Sequence, residues 1–121
     1  MPNIKNILIA DDDNFMRLAL RKVLEKENYT IIEATDGKEA VDAFIEHKPD
    51  CILLDGLMPN LDGFTACNQI REYPEGKAIP ILIVSGLTKD EIKSEYPGTL
   101  ATGYIGKPVD WIKILKKISQ L

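Results

Sequence analysis

The chain has few of the residues that sulfur and imidazole chemistry needs. Its 121 residues include only two cysteines, Cys51 and Cys67, and one histidine, His47. The cysteines have neither the CxxC spacing of a redox motif nor the spacing of a zinc site, so we expect both to be reduced and buried. His47 stands beside Lys48 at a predicted helix end, where we expect it in solvent and not as a ligand.

Positive charge is in deficit, and long apolar runs are missing. Acidic residues number 19 and basic residues 15, which gives a formal net charge of −4 and a pI near 5.0. A general nucleic-acid binder usually carries a basic face, so direct binding to nucleic acid is not expected. No apolar run approaches the roughly 20 residues of a membrane helix, and the start, MPNIKNILIA, is too short and too polar for a signal peptide. We therefore expect a cytoplasmic protein that does not bind membranes.

Apolar runs and turn residues alternate in a way that predicts five strands and five helices. Apolar runs bounded by turn residues predict strands at residues 4–10, 30–34, 51–54, 79–84 and 103–106. Helical spacing and capping residues predict helices at residues 14–26, from 36 onward, at 64–73, at 89–96 and from 110 onward. In the first helix the apolar residues that recur at three- and four-residue spacing are Phe15, Leu18, Ala19, Val23 and Leu24.

This alternation predicts the fold class. Strands that alternate with helices form βαβ units, hence an α/β protein with a parallel sheet and helices on both faces. Right-handed crossovers leave few topologies, of which the flavodoxin-like, doubly wound order 2-1-3-4-5 is the common one at this length. The chain contains no linker, low-complexity segment or repeat, so residues 1–121 are expected to form a single domain without an attached output domain.

Polar residues follow four of the five predicted strands. They are Asp11, Asp12 and Asp13 after the first strand, Asp55 after the third, Ser85 after the fourth and Lys107 after the fifth. In the order 2-1-3-4-5 the first and third strands are neighbours, so their acids converge at one edge of the sheet. Crowded carboxylates repel one another unless protons or a cation intervene, and hard oxygen ligands suit Mg²⁺.

The same set of side chains suits a transferring phosphoryl group. Transfer depends mostly on positioning and on stabilising charge on the phosphoryl oxygens, which a cation, a lysine and a hydroxyl can do. Asp55 is the best candidate nucleophile, because a carboxylate can accept phosphate as an aspartyl phosphate. The residues therefore predict a metal-assisted phosphoacceptor.

Four motifs carry a resemblance to a known family. ILIADDD, LLDGLMPNLDG, PILIVSG and YIGKP occur in the order and at the spacing of the receiver domains of two-component response regulators. The resemblance extends from residue 4 to about residue 118. It implies that Asp55 is phosphorylated by a histidine kinase, by a histidine phosphotransfer protein or by a small phosphodonor. It also implies a conformational switch that regulates a downstream effector protein or an output domain.

The resemblance further implies roles for individual residues. Asp12 would hold Mg²⁺ directly and Asp11 largely through water, with Asp55 and the backbone carbonyl of Leu57 as further ligands; Mn²⁺ is the alternative ion. Ser85 matches the Ser/Thr position that contacts the phosphoryl group, and Lys107 matches the lysine that does so. Tyr104 matches the aromatic switch position. A receiver promotes its own phosphorylation and dephosphorylation, but no turnover of a separate substrate is expected.

Three features depart from the usual receiver pattern. Gly56 follows the acceptor where a bulkier residue is frequent, and Gly86 follows Ser85 where alanine is usual. Residues 96–99, Tyr-Pro-Gly-Thr, interrupt the fourth helix, because proline and glycine end helices. This interruption bears on the usual partner-binding face, which the fourth helix, fifth strand and fifth helix form.

Other hypotheses remain open from the sequence. The acids after the first strand could favour the positive end of the first helix, with Asp13 or Asn14 as its cap. Asp11 and Asp13 also satisfy the Asp-x-Asp pattern of haloacid-dehalogenase-like phosphatases, which use an aspartyl nucleophile. A third hypothesis is a receiver-like module that binds partners without phosphate.

Overall fold

A computed structural model describes residues 3–121 as one five-stranded sheet with helices on both faces. The strands are β1 (Asn6–Ala10), β2 (Thr30–Ala34), β3 (Cys51–Asp55), β4 (Ile81–Ser85) and β5 (Gly103–Gly106). The helices are α1 (Asn14–Lys26), α2 (Gly37–His47), α3 (Gly63–Arg71), α4 (Lys89–Glu95) and α5 (Trp111–Ser119), and a 3₁₀ turn spans Pro74–Gly76. No helix among residues 3–121 is both long enough and apolar enough to cross a membrane.

The strand order is β2-β1-β3-β4-β5 and every pair is parallel, which confirms the predicted topology. Register aligns the carboxyl ends of the central strands. Ala10 lies opposite Leu54, Asp55 opposite Val84, and Ser85 opposite Gly106. The side chains that follow these strands therefore meet at one edge, where ligands bind in open α/β sheets.

The sheet separates two hydrophobic clusters. Alternate strand residues point to opposite faces, so Leu8 and Ile52 enter one cluster while Ile9 and Leu53 enter the other. Helices α2, α3 and α4 cover the first cluster, and α1 and α5 cover the second. All five residues of β3 are buried, as expected for a central strand covered on both faces.

Two predicted boundaries shift for reasons of backbone chemistry. Strand β4 begins at Ile81 and not at residue 79, because Pro80 has no N–H to donate to the ladder. Helix α3 ends at Arg71 and not at residue 73, since Tyr73 precedes a proline and takes an extended conformation, with φ −81° and ψ 143°.

The buried face of α1 differs from the predicted one. Met16, Leu20 and Leu24 form a row at four-residue spacing that packs toward the sheet. Phe15 and Leu18, which belong to the predicted apolar stripe of this helix, are 86% and 48% exposed. The predicted stripe and the buried row both have helical spacing. Only contact with the sheet determines which of them is buried.

Helix α4 is short, as the proline and glycine predict. It has seven residues, and Thr88 and Glu91 form a capping box at its start. Gly98 adopts a φ of +81°, a backbone conformation that favours glycine. The ring of Tyr96, the residue after the helix, stacks on Phe64 of α3 with ring centroids 4.0 Å apart.

Candidate functional site

Three carboxylates lie together at the carboxyl edge of the sheet. Asp11 and Asp12 follow β1, and Asp55 is the last residue of β3. One carboxylate oxygen from each lies within 4.8 Å of the other two. Asp11 and Asp55 are buried at 2% and 7% exposure, whereas Asp12 faces solvent. We call these three residues the acid cluster.

The turn between β1 and α1 fixes one member of the acid cluster. The backbone N–H of Asp13 donates a hydrogen bond to Oδ1 of Asp11 at 2.8 Å. The carboxylate of Asp13 caps α1, accepting from the N–H groups of Phe15 and Met16 at 2.9 and 3.3 Å. Asp13 is therefore the helix cap and lies outside the acid cluster, which removes the support for an Asp-x-Asp phosphatase.

Negative charge in the acid cluster is incompletely compensated. The pKa of Asp11 is raised to about 6, mainly by burial and also by the charge of Asp55, while the hydrogen bond from Asp13 and the charge of Lys107 act in the opposite direction. Near neutral pH, three carboxylates face one lysine ammonium. The site consequently favours an additional cation.

Lys107 and Ser85 border the acid cluster from the neighbouring strands. Nζ of Lys107, which follows β5, lies 3.0 Å from Oδ1 of Asp55. The backbone N–H of Lys107 donates to the carbonyl of Ser85 at 3.0 Å, and this bond keeps β4 and β5 in register at their ends. The buried hydroxyl of Ser85 accepts from the N–H of Leu87 at 3.0 Å, so it holds the loop that leads to α4.

The donor set fits a hard divalent cation. All three members of the acid cluster offer oxygen, which Mg²⁺ prefers, and the exposure of Asp12 leaves access to water, which Mg²⁺ usually keeps as a ligand. Leu57 lies in the loop after Asp55 with its side chain 54% exposed. Its carbonyl belongs to the same loop and is the candidate backbone ligand.

Tyr104 lies away from the acid cluster, within β5 opposite Ile83. Its half-buried ring packs against the hydrophobic cluster under α2, α3 and α4. Burial raises the pKa of its hydroxyl. A surface cavity of about 530 Å³ opens beside it, lined by α4 residues and by residues 96–99. The short α4 thus leaves a hollow on the α4–β5 side of the molecule.

Gly56, which follows Asp55, has a steric reason that the sequence did not reveal. A Cβ on Gly56 would lie 2.9 Å from Cε2 of Phe64 and 3.2 Å from Cβ of Ser85. The ring of Phe64 occupies the space that a side chain at position 56 would need. By contrast, a Cβ on Gly86 would meet nothing within 4 Å, so that departure from the receiver pattern has no steric cause.

Comparison with known proteins agrees with this geometry. The family model described as response regulator receiver domain matches residues 7–119. The chemotaxis protein CheY of Halobacterium salinarum is 34% identical over 117 residues, which cover 97% of this chain and 96% of that protein. Other relatives are longer, and the chain spans about half the length of the response regulators MprA and ResD.

Solved structures show the same fold. The chemotaxis response regulator CheY4 of Vibrio cholerae superposes with a TM-score of 0.89 at 29% identity, over 98% of each chain. CheY in the CheX–CheY–BeF₃–Mg²⁺ complex from Borrelia burgdorferi superposes with a TM-score of 0.86 at 32% identity, over 96% of this chain and 87% of that one.

The family has known binding and signalling properties. Receiver domains bind Mg²⁺ at an acidic site, interact with kinases and effectors, and act as signalling modules and not as enzymes with a separate substrate. The fold, the acid cluster, the extent of the family match and the identity to CheY agree with one another. The chain belongs to the response regulator receiver domain family and has the phosphoacceptor signalling function of two-component systems.

Proposed function

We propose that Asp55 is the phosphoacceptor of this receiver. The observation that carries the proposal is the position of its buried carboxylate, which lies within 4.8 Å of the carboxylate oxygens of Asp11 and Asp12 and 3.0 Å from the ammonium of Lys107. A carboxylate in such a place can accept a phosphoryl group, because cationic groups beside it neutralise the charge that transfer brings. Mg²⁺, or Mn²⁺ in its place, would be held by Asp11, Asp12, Asp55 and the Leu57 carbonyl, and it neutralises phosphoryl charge when bound.

The residues at the site can carry out transfer of a phosphoryl group to Asp55. A carboxylate oxygen of Asp55 attacks phosphorus, the bond from phosphorus to the donor atom breaks, and the donor keeps the electron pair. That atom is an imidazole nitrogen of a phosphohistidine or an acetate oxygen of acetyl phosphate. Lys107 supplies positive charge to the phosphoryl oxygens through the ammonium that pairs with Asp55 in the unmodified chain.

The response passes to the loop before α4. The Ser85 hydroxyl accepts from the N–H of Leu87 when Asp55 carries no phosphate. A phosphoryl oxygen on Asp55 can accept a hydrogen bond from the Ser85 O–H, and rotation of the serine side chain toward the phosphate releases the Leu87 N–H together with the loop. The change then biases the position of the Tyr104 side chain beside the α4–β5 cavity, which makes Ser85 and Tyr104 the switch residues.

The partners follow from the chemistry of the site. A histidine kinase or a histidine phosphotransfer protein supplies the phosphoryl group in the cytoplasm, and an effector protein or output domain responds to the switch. The Borrelia burgdorferi structure is that of a CheX–CheY–BeF₃–Mg²⁺ complex, which supports a protein partner and Mg²⁺ for this receiver as well. We further propose that residues 1–121 form a single receiver domain that contacts neither nucleic acid nor membrane.

Intact mass after incubation with acetyl phosphate and Mg²⁺ tests the acceptor. Wild type gains one phosphate, Asp55→Asn gains none, and chelation of the metal abolishes the adduct. Asp62→Asn is the matched control, since this aspartate caps α3 in the same loop and asparagine also caps helices. A phosphate adduct on Asp55→Asn equal to that of wild type would assign the acceptor elsewhere.

A further inference from the structure

Arg17 joins three elements beside the acid cluster. Its Nη1 donates to the carbonyl oxygen of Asp11 at 2.7 Å, its Nη2 to Oδ1 of Asn14 at 2.7 Å, and its Nε to Oε1 of Glu33 at 2.9 Å. The side chain is 14% exposed. A planar guanidinium offers these donors in a fixed fork, so a single side chain holds the end of β1, the start of α1 and β2 in one arrangement.

The backbone of Asp11 depends on this fork. Its N–H donates to the carbonyl of Ala34 in β2 at 3.1 Å, and its carboxylate accepts from the N–H of Asp13 at 2.8 Å. Its carbonyl accepts from Arg17. Removing the guanidinium leaves a carbonyl without this donor in a residue that is 2% exposed. The peptide between Asp11 and Asp12 then loses one of its restraints, and we expect the carboxylates on either side of it to shift.

The influence of Arg17 on the acid cluster is geometric. The charges that shift the pKa of Asp11 are those of Asp55, Lys107 and Asp12. The charge of Arg17 is directed to Glu33, with which it forms an ion pair. The contact of Arg17 with the acid cluster is the bond to the Asp11 carbonyl, so an effect of Arg17 that a neighbouring arginine on Glu33 does not share is expected to pass through that carbonyl.

We propose that Arg17 is a positioning residue for the acid cluster. Through the Asp11 carbonyl it holds Asp11 and Asp12 where their carboxylates meet that of Asp55, and it thereby sets the affinity of the site for a divalent cation. The proposal rests on the function proposed for the acid cluster. It adds a residue of α1 that touches neither metal nor phosphate.

Arg21 is a matched control on the same helix. It pairs with the other carboxylate oxygen of Glu33 and with Glu25 at 3.2 Å. It has no hydrogen bond to Asp11, and its side chain is 39% exposed. Arg17→Met and Arg21→Met therefore remove the same charge from the same glutamate, and only the first breaks the bond to Asp11.

Calorimetric titration with Mg²⁺ alone, without a phosphodonor, measures the effect. We expect Arg17→Met to bind Mg²⁺ about 10-fold more weakly than wild type, the lower end of the range for residues that orient metal ligands, and Arg21→Met to bind as wild type does. The Mg²⁺ concentration for half-maximal phosphorylation by acetyl phosphate should rise by the same factor in Arg17→Met. The rate at saturating Mg²⁺ should return toward that of wild type, a split that general loss of structure would not produce.

Two further variants keep the test decisive if Arg17→Met fails to fold. Arg17→Lys retains charge and one donor for the carbonyl, and Glu33→Gln loosens the anchor of the guanidinium, so both should weaken Mg²⁺ binding to a smaller extent. Wild-type affinity in the folded Arg17 variants would overturn the proposal, as would equal weakening by Arg21→Met. Wild type that binds Mg²⁺ but takes no phosphate on Asp55 would refute the proposed function alone, because the titration still measures Arg17. Wild type that binds no Mg²⁺ would refute both.

Discussion

Asp11 shows how a site residue can oppose the stability of its own fold. Its carboxylate is buried beside Asp55, and its pKa is raised from an ordinary 3.8 to about 6. The folded chain therefore binds a proton more tightly than the unfolded chain does. Between these two values the free energy of unfolding falls as pH rises, and above pH 6 the full cost of the buried charge is present.

Asp11→Asn should remove that cost from the metal-free protein. We expect the variant to be more stable than wild type at neutral pH by up to about 3 kcal/mol, the equivalent of the pKa shift, and the gain to shrink toward zero near pH 4. Asparagine keeps the oxygen that accepts from the Asp13 N–H. Urea unfolding in the presence of a chelator, at several pH values, measures the difference. A gain that does not vary with pH would show that Asp11 is not the titrating group.

Helix α1 illustrates what sequence spacing can and cannot decide. Apolar residues at three- and four-residue intervals predicted the helix with both of its ends, but they allowed more than one apolar stripe. The buried row includes Leu20, at 2% exposure, which lies outside the predicted stripe, and it excludes Phe15. Spacing defines a periodicity, and the buried face is chosen by contacts with strands that lie far away in the chain.

Alanine substitutions on α1 distinguish the two faces. Leu20→Ala should lower the free energy of unfolding by roughly 2–5 kcal/mol, since it leaves a cavity in the packed core. Phe15→Ala should change it by less than about 0.5 kcal/mol, because the ring is exposed. Chemical denaturation of both variants is the measurement. Similar losses would mean that Phe15 packs against the protein.

The site was predictable from sequence to the extent that it depends on strand ends. Apolar runs that stop at an acid, a serine or a lysine indicate a parallel sheet, and the order of its strands brings these residues to one edge. Contacts made by long side chains were not predictable. Arg17, near the start of α1, donates a hydrogen bond to the carbonyl of Asp11, which follows β1. Phe64 contacts Gly56 across a loop. Neither contact follows from hydrophobic periodicity or from a motif.

At the scale of the whole molecule, the two cysteines report on opposite faces of the sheet. Cys51 belongs to the cluster under α1 and α5, and Cys67 to the cluster under α2, α3 and α4. Burial, the main cause, raises the pKa of Cys51 to about 12 and that of Cys67 to about 11. Both thiols are thus shielded and protonated in the folded chain, and only opening of the structure exposes a reactive thiolate.

Thiol labelling should therefore follow global unfolding. If the domain opens as one cooperative unit, Cys51 and Cys67 label at the same slow rate, and that rate rises together with denaturant. Pulse labelling followed by peptide mass analysis resolves the two positions. Faster labelling of Cys67 alone would show that the α2–α3–α4 face opens locally, independently of the α1–α5 face.

The ring of Phe64 has a consequence for how this chain can diverge. A side chain at position 56 would need the space that the ring at position 64 occupies, so the size of one residue limits the size of the other. We expect a larger residue at position 56 to be destabilising with phenylalanine at position 64 and acceptable with a smaller residue there, and the stacking of Tyr96 on Phe64 extends this dependence to the end of α4. Gly56 is thus one member of an epistatic set, and we expect mutational paths toward other receivers to change its members in a restricted order.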